Sequence, residues 1–246
     1  MRIARFLVKD AVKTGIVQGE KALIDGEEHI LRDLRFLPPS TPRKIVCVGL
    51  NYVDHAEELG MKLPDEPIIF LKPSSALNSH DGVILLPSQS KMVEYEAELA
   101  FVIGKRCRNV KKEDALDYIL GLTCFNDVTA RDLQARDGQW TRAKGFDTFA
   151  PVGPWITTRD EFSDLEDLNL GIKLLKNKRV MQDSNTRNLI FNIPYLVEFV
   201  SGVMTLETGD VVSTGAPPGV GRIKGGDVLE VSIEGVGVLR NRVEVA

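Results

Sequence analysis

The chain is short of the groups that build several common kinds of site. It has three cysteines, Cys47, Cys107 and Cys124, with no Cys-x-x-Cys pair among them. An odd, scattered set excludes a disulfide framework or a structural zinc knuckle, and reduced thiols in a cytoplasmic protein are the simplest expectation. It has three histidines, His29, His55 and His80. A three-histidine zinc site would need all of them, one from the N-terminal segment, and is not expected. No apolar run is long enough to span a bilayer. The first residues lack the long apolar core of a secretory leader. The formal net charge is −4, with acids and bases interleaved, so neither nucleic acid nor an anionic membrane is an expected partner.

What is present is a chain of 246 residues, 43% hydrophobic, long enough to bury a substantial core. Residues 1 to about 37 read as short strands and turns, with Asp25-Gly26 as a hairpin signal. The segment Leu37-Pro38-Pro39-Ser40-Thr41-Pro42 is a proline-rich break, so the expected division is a small β region, residues 1–43, and a main domain, residues 44–246. Within the latter, 44–49, 67–71, 82–87 and 119–125 read as strands. Residues 53–59, 112–121, 129–136 and 189–201 read as helical, and the tail from Asp210 as strand-rich. The expected class is α+β, rich in β, without regular βαβ alternation.

The most telling run is Glu94-Tyr95-Glu96-Ala97-Glu98, followed by the apolar Leu99-Ala100-Phe101-Val102-Ile103. As one strand, it sets three glutamates on one face at the end of a buried segment. Like charges so close repel unless something offsets them, which leaves two readings: a bound divalent cation, or a solvated acidic strand end. Hard oxygen donors would favour Mg²⁺, Mn²⁺ or Ca²⁺.

Asp127 follows an apolar strand, placed either to face a site or, with Thr129, to cap the next helix. His55 and Glu58 stand three apart on a helix and share a face, a spacing that suits a carboxylate-oriented general base or a plain structural hydrogen bond. Lys144 lies among aromatics and glycine, and reads as a surface cation or as a group opposing an oxyanion. The turn Ser213-Thr214-Gly215-Ala216-Pro217-Pro218-Gly219-Val220-Gly221 is rigid, and its N–H groups and Thr214 hydroxyl are able to hold a carboxylate. Its prolines and the absence of Gly-Lys-Ser/Thr separate it from a phosphate loop.

Taken together, Gly49-Leu50-Asn51-Tyr52-Val53-Asp54-His55-Ala56-Glu57-Glu58, Phe70-Leu71-Lys72-Pro73, Tyr95-Glu96-Ala97-Glu98-Leu99, Asn126-Asp127-Val128-Thr129-Ala130-Arg131-Asp132-Leu133-Gln134, Lys144 and the 213–221 turn resemble the fumarylacetoacetate hydrolase family in order and spacing. The resemblance runs from residue 44 to the C-terminus. It implies a mixed β-roll of packed sheets with a few peripheral helices, and a homodimer. It implies Mg²⁺ or Mn²⁺ held by Glu96, Glu98 and Asp127, with Glu94 left as an outer or solvated residue. It implies that His55 and Glu58 sit on a lid and activate water, and that Lys144 opposes the oxyanion. Arg131, Gln134, Thr214 and Gly215 would contact a 2-oxo acid substrate. The implied activity is hydrolysis of the C–C bond beside a 1,3-dicarbonyl 2-oxo acid. Isomerase or decarboxylase action on hydroxymuconate-type diacids, oxaloacetate decarboxylation, and a metal-bearing binding protein are the alternatives. Leu50 stands where acylpyruvate hydrolases and oxaloacetate decarboxylases of the family often carry Arg. The segment 60–67 after the dyad is expected to be a lid hinge that orders on binding a 2-oxo acid.

Overall fold

The structure is a computed structural model that describes all 246 residues. The apolar run after Glu98 becomes the strand Ala97–Ile103, buried along its whole length. It lies inside a twelve-stranded sheet, between Ile119–Asn126 and Val211–Ser213, antiparallel to both. A strand hydrogen-bonded on both sides and covered on both faces has no place for polar side chains except at its ends. Leu99, Phe101 and Ile103 point into one core, shared with Ile172, Leu174, Leu229 and Val231 of a second, five-stranded sheet. Ala100 and Val102 point into another, with Ile45, Cys47, Phe125 and Val211. Removing one such side chain, Leu99→Ala for example, costs about 2–5 kcal/mol.

The N-terminal strands extend the large sheet: Arg2–Val8 pairs with Ala150–Thr158 at Arg2↔Thr157 and Ile3↔Ile156. They also enclose a small core of their own around Phe6, Val17, Ile24 and Phe36. The Asp25-Gly26 hairpin forms as read, with φ of 50° and 86°, between Lys21–Ile24 and Glu27–Ile30. All three cysteines are free and buried. No helix is long and apolar enough to cross a membrane.

Four readings of local structure are corrected. The acidic run is not one strand. Val93–Tyr95 belongs to a separate three-stranded sheet, the chain leaves regular structure at Glu96, and the long strand restarts at Ala97. The gap arises because the Glu96 N–H donates to the Asn126 side chain, 3.0 Å, and not to a neighbouring strand. Residues 112–121 divide into a 3₁₀ segment, Lys112–Tyr118, and the start of Ile119–Asn126. The next helix starts at Arg131, after a short bridge at Thr129–Ala130, and no side chain caps it. The last helix is Ile193–Val203, not 189–201: Asn192 accepts from the Tyr195 N–H and Pro194 occupies the first turn, which together set its start.

Candidate active site

The break at Glu96 builds the site. Ala97 pairs with Asn126, and the Asp127 N–H donates to the Glu96 carbonyl, 2.9 Å, so Glu96 and Asp127 end side by side. Glu98 sits two residues inside the strand, opposite Phe125. The three carboxylates are buried, and each offers one oxygen within 4.8 Å of the others. Neither Asp127 nor Thr129 caps a helix. The Thr129 hydroxyl donates to the Asp127 carbonyl, 2.9 Å, while the Asp127 carboxylate faces two lysines.

The counter-charges come from three elements. Lys144 Nζ, on the helix Thr141–Lys144, donates to Glu96 Oε2 at 2.9 Å and Asp127 Oδ2 at 2.5 Å. It is buried, with Phe70 4.9 Å from it, and so is not a surface cation. Arg131 donates to Glu94 Oε2 at 2.8 Å, to Gln134 Oε1 at 2.6 Å, and to Glu96. Glu94 is therefore not solvated; it is buried and holds Arg131, outside the three carboxylates of the cage. Lys72 Nζ reaches Asp127 Oδ1 at 2.5 Å from behind. Four carboxyl groups (Glu94, Glu96, Glu98, Asp127) thus gather around three cations (Lys72, Lys144, Arg131), which pair with Glu94, Glu96 and Asp127.

The two glutamates of the cage are pushed apart. Burial alone would raise the Glu96 carboxyl, but Lys144 and Arg131 beside it prevail and hold it at about 2. Burial raises Glu98 well above the usual carboxylate range, and the neighbouring Asp127 and Glu96 charges push the same way. Burial would lower Lys144; the Asp127 and Glu96 carboxylates outweigh it and raise it. Glu98 is held by the Ser213 hydroxyl and by the Gly215 N–H at 3.0 Å. Gly215 has φ +92°, and a Cβ there would lie 2.9 Å from that of Asn51, so only glycine brings this N–H to the carboxylate.

His55 and Glu58 lie on the helix Val53–Leu59, with His55 Nδ1 2.9 Å from Glu58 Oε2. Glu58 Oε1 accepts from the Gly219 N–H at 3.1 Å, which ties the pair to the 213–221 turn. Asp54 anchors the same helix through Ser184 Oγ, 2.5 Å, and Asn188 Nδ2, 3.1 Å. A cleft of about 440 Å³ separates this helix from the cage. Its polar lining is His55, Glu96, Glu98, Arg131, Gln134 and Lys144, and its apolar lining includes Leu50, Leu59, Met61, Ile68, Phe70 and Trp140. A larger groove of about 610 Å³ runs past Phe191 and Tyr195, but no group of converging carboxylates lies in it.

Most of the site residues read from the sequence therefore meet in one place, with Asp127 directly beneath the lining. Thr214 stands apart: its buried hydroxyl donates to the Leu99 carbonyl, 2.9 Å, and the turn meets the cleft through Ala216. Lys72, Asn51 and Ser213 also belong to the site, holding Asp127, the Thr214 carbonyl and Glu98, and no local pattern marks Asn51 or Ser213 for these roles. The sign of Lys72 was there, a lone lysine closing the run Ile68-Ile69-Phe70-Leu71 before Pro73.

A β-rich body with an acidic cage flooring a cleft, and a histidine–carboxylate pair across it, has the form of an enzyme site. The chain belongs to the fumarylacetoacetate hydrolase family, a family of enzymes: residues 44–244 match its fumarylacetoacetate (FAA) hydrolase C-terminal domain. A protein of Archaeoglobus fulgidus is 56% identical over 97% of this chain and 94% of its own. Oxaloacetate tautomerase fahd2, mitochondrial, of Xenopus laevis is 43% identical over 92% of this chain and 74% of its own. Among solved structures, 5-carboxymethyl-2-hydroxymuconate delta-isomerase from Mycobacterium smegmatis superposes with a TM-score of 0.91 at 42% identity, covering 100% of this chain and 99% of that one. Maleylpyruvate hydrolase from Sphingobium sp. SYK-6, solved with manganese(II) and pyruvate, gives 0.86 at 32%, covering 100% of both.

Proposed function

We propose that the chain is a divalent-metal-dependent enzyme that cleaves the C–C bond joining the distal carbonyl to C3 of a 1,3-dicarbonyl 2-oxo acid. The observation that carries this reading is the His55–Glu58 pair placed across one cleft from Glu96 and Glu98. The donor set fits a hard cation. It is all carboxylate oxygen, it is buried, and it already draws the Lys144 ammonium between Glu96 and Asp127. Glu96, Glu98 and Asp127 would hold Mg²⁺ or Mn²⁺, as the manganese-bearing relative supports. When bound, the ion supplies Lewis-acid stabilisation to the enolate of a 2-oxo acid.

The chain's own residues do the rest. Glu58, fixed by the Gly219 N–H, holds the proton of His55 Nδ1 and so leaves Nε2 as the base. His55 takes a proton from water, the resulting hydroxide adds to the distal carbonyl carbon, and the C–C bond breaks with its electrons passing to the enolate. His55 returns the proton to C3, the enolate carbon released by the break, giving a carboxylic acid and a shorter 2-oxo acid. Lys144 opposes the oxyanion formed at the distal carbonyl. Arg131 and Gln134, linked to each other at the wall, face the substrate carboxylate.

A second reading has its own support. The tautomerase and isomerase relatives are closer in sequence, 43% and 42%, than the maleylpyruvate hydrolase, 32%. In that reading His55 moves a proton between C3 and the enol oxygen and no bond between carbons breaks. A panel of acylpyruvates, fumarylpyruvate, oxaloacetate and a hydroxymuconate-type diacid, with Mg²⁺ or Mn²⁺ and with chelator, separates the two: cleavage yields a new carboxylic acid, tautomerisation only a change in enol absorbance. Glu96→Ala is expected to lose metal and all activity, and His55→Ala to keep metal and lose turnover. Full turnover by Glu96→Ala under chelator would falsify the site.

A further inference from the structure

Lys72 is the most deeply buried cation of the molecule, and nothing in the reaction above uses it. It closes the strand Ile69–Lys72, at the edge of the large sheet, and its side chain is 0% exposed. Its ammonium donates to Asp127 Oδ1 at 2.5 Å and to the Val128 carbonyl at 3.0 Å. Lys144 takes the other oxygen, Oδ2, at 2.5 Å. Lys72 does not line the cleft, whereas Lys144 does.

We propose that Lys72 is a positioning residue that acts through Asp127: it claims Oδ1 from behind, so that Asp127 presents Oδ2 alone to the cage. This rests on the metal reading of the cage. The physical case is one of orientation and charge. A carboxylate oxygen left buried without a partner is costly, so without Lys72 the Asp127 carboxylate turns its free oxygen into the cage. The Val128 contact fixes the ammonium to the backbone next to Asp127, so Lys72 cannot follow the carboxylate if it rotates. Outer partners of this kind govern how strongly a ligand binds its ion, typically by about 10–100-fold.

The test is a double-mutant cycle read on Mn²⁺ itself. Mn²⁺ affinity and the electron paramagnetic resonance spectrum of the bound ion are measured for the wild type, Lys72→Met, Asp127→Asn and the pair, with circular dichroism checking the fold. Methionine keeps the length of the lysine stem without its charge. Lys72→Met is expected to bind Mn²⁺ about 10–100-fold more weakly, with an altered spectrum. In the Asp127→Asn background the same change is expected to alter affinity by less than about threefold, because the group through which Lys72 acts is already neutral. Independent, additive losses, or an unchanged spectrum in Lys72→Met, overturn the proposal. Absence of Mn²⁺ binding by the wild type overturns the metal reading instead. Should Lys72→Met not fold, Lys72→Gln, which keeps a shorter donor, decides by the same cycle.

Discussion

Asn51 offers a sharp test of what joins the two walls of the cleft. Its side chain is fully buried, and all its chief hydrogen-bonding capacity is used. Nδ2 donates to the Thr214 carbonyl at 2.8 Å and to the Phe191 carbonyl at 3.1 Å, and Oδ1 accepts from the Phe191 N–H at 2.7 Å. One residue thus ties the start of the dyad segment to the 213–221 turn and to the loop before the last helix. In Asn51→Ala the three bonds are lost at roughly 1 kcal/mol each, and the buried Thr214 carbonyl, left unpaired, adds about 1–3 kcal/mol. The expected loss is about 4–6 kcal/mol, which for a chain of this size is a fall in Tm of roughly 8–24 °C. Urea unfolding followed by circular dichroism, in chelator so that metal does not contribute, measures it. Asn51→Asp sharpens the result. It keeps the acceptor for the Phe191 N–H but turns an oxygen toward two carbonyls, so it is expected to be no more stable than Asn51→Ala. A loss below about 1 kcal/mol in Asn51→Ala refutes the reasoning, since a single net hydrogen bond accounts for that much.

Three further outcomes are expected. His80 is held below its unperturbed value of 6.5, chiefly by burial and also by Arg240, with Asp81 opposing. Its Nδ1 accepts from the Arg240 N–H at 3.1 Å, so the fold prefers the neutral ring. A depressed value means stability that is complete above 6.5 and is lost as pH falls through the folded-state value. Asp81, also depressed, adds its own loss only in more acidic solution. His80→Gln is expected to flatten the stability profile between about pH 7 and 5, and equal slopes in the two proteins count against this. Mn²⁺ at about 100 times its Kd is expected to stabilise the fold by about 2.7 kcal/mol, and chelator to reverse it; a melting curve indifferent to both contradicts the cage assignment. Residues 60–67, which follow the left-handed Gly60 and carry the exposed Met61 and Leu63, are expected to resist protease once Mn²⁺ and oxalate are added. Equal cleavage with and without them argues against a lid.

The residues themselves show what was legible in the chain. The strand Ala97–Ile103, the helix Val53–Leu59 and the Asp25-Gly26 hairpin are written in local pattern, because burial on both faces, apolar spacing and positive φ each leave a mark on composition. The meeting of Glu96, Glu98 and Asp127 was legible through motif order. The break at Glu96 was not, because alternation describes side chains, and the break is made by a backbone N–H that finds Asn126 thirty residues away. The same holds for the pairing of Lys72, and for the burial of Lys144, whose place in the site the motif order did mark. A lysine is ordinarily a solvent-facing residue, and only the placing of four carboxylates in the interior makes two buried lysines necessary. Thr214 shows the converse: its place in the motif points to the substrate, while its hydroxyl donates to the Leu99 carbonyl.

The place of the strand Ala97–Ile103 in the sheet also sets an order of assembly. One edge is met by Ile119–Asn126, close in the chain, while the other waits for Val211–Ser213, and Gly215 reaches Glu98 across 117 residues. During synthesis, the acidic hairpin is made long before its second neighbour exists. Until then it carries an open edge and a carboxylate without its backbone donor, the kind of half-built sheet that pairs with the wrong partner. Loop closure over such distances makes this step slow. The contacts of Glu98 with Ser213 and Gly215 are therefore the ones of the cage that close over the longest stretch of chain.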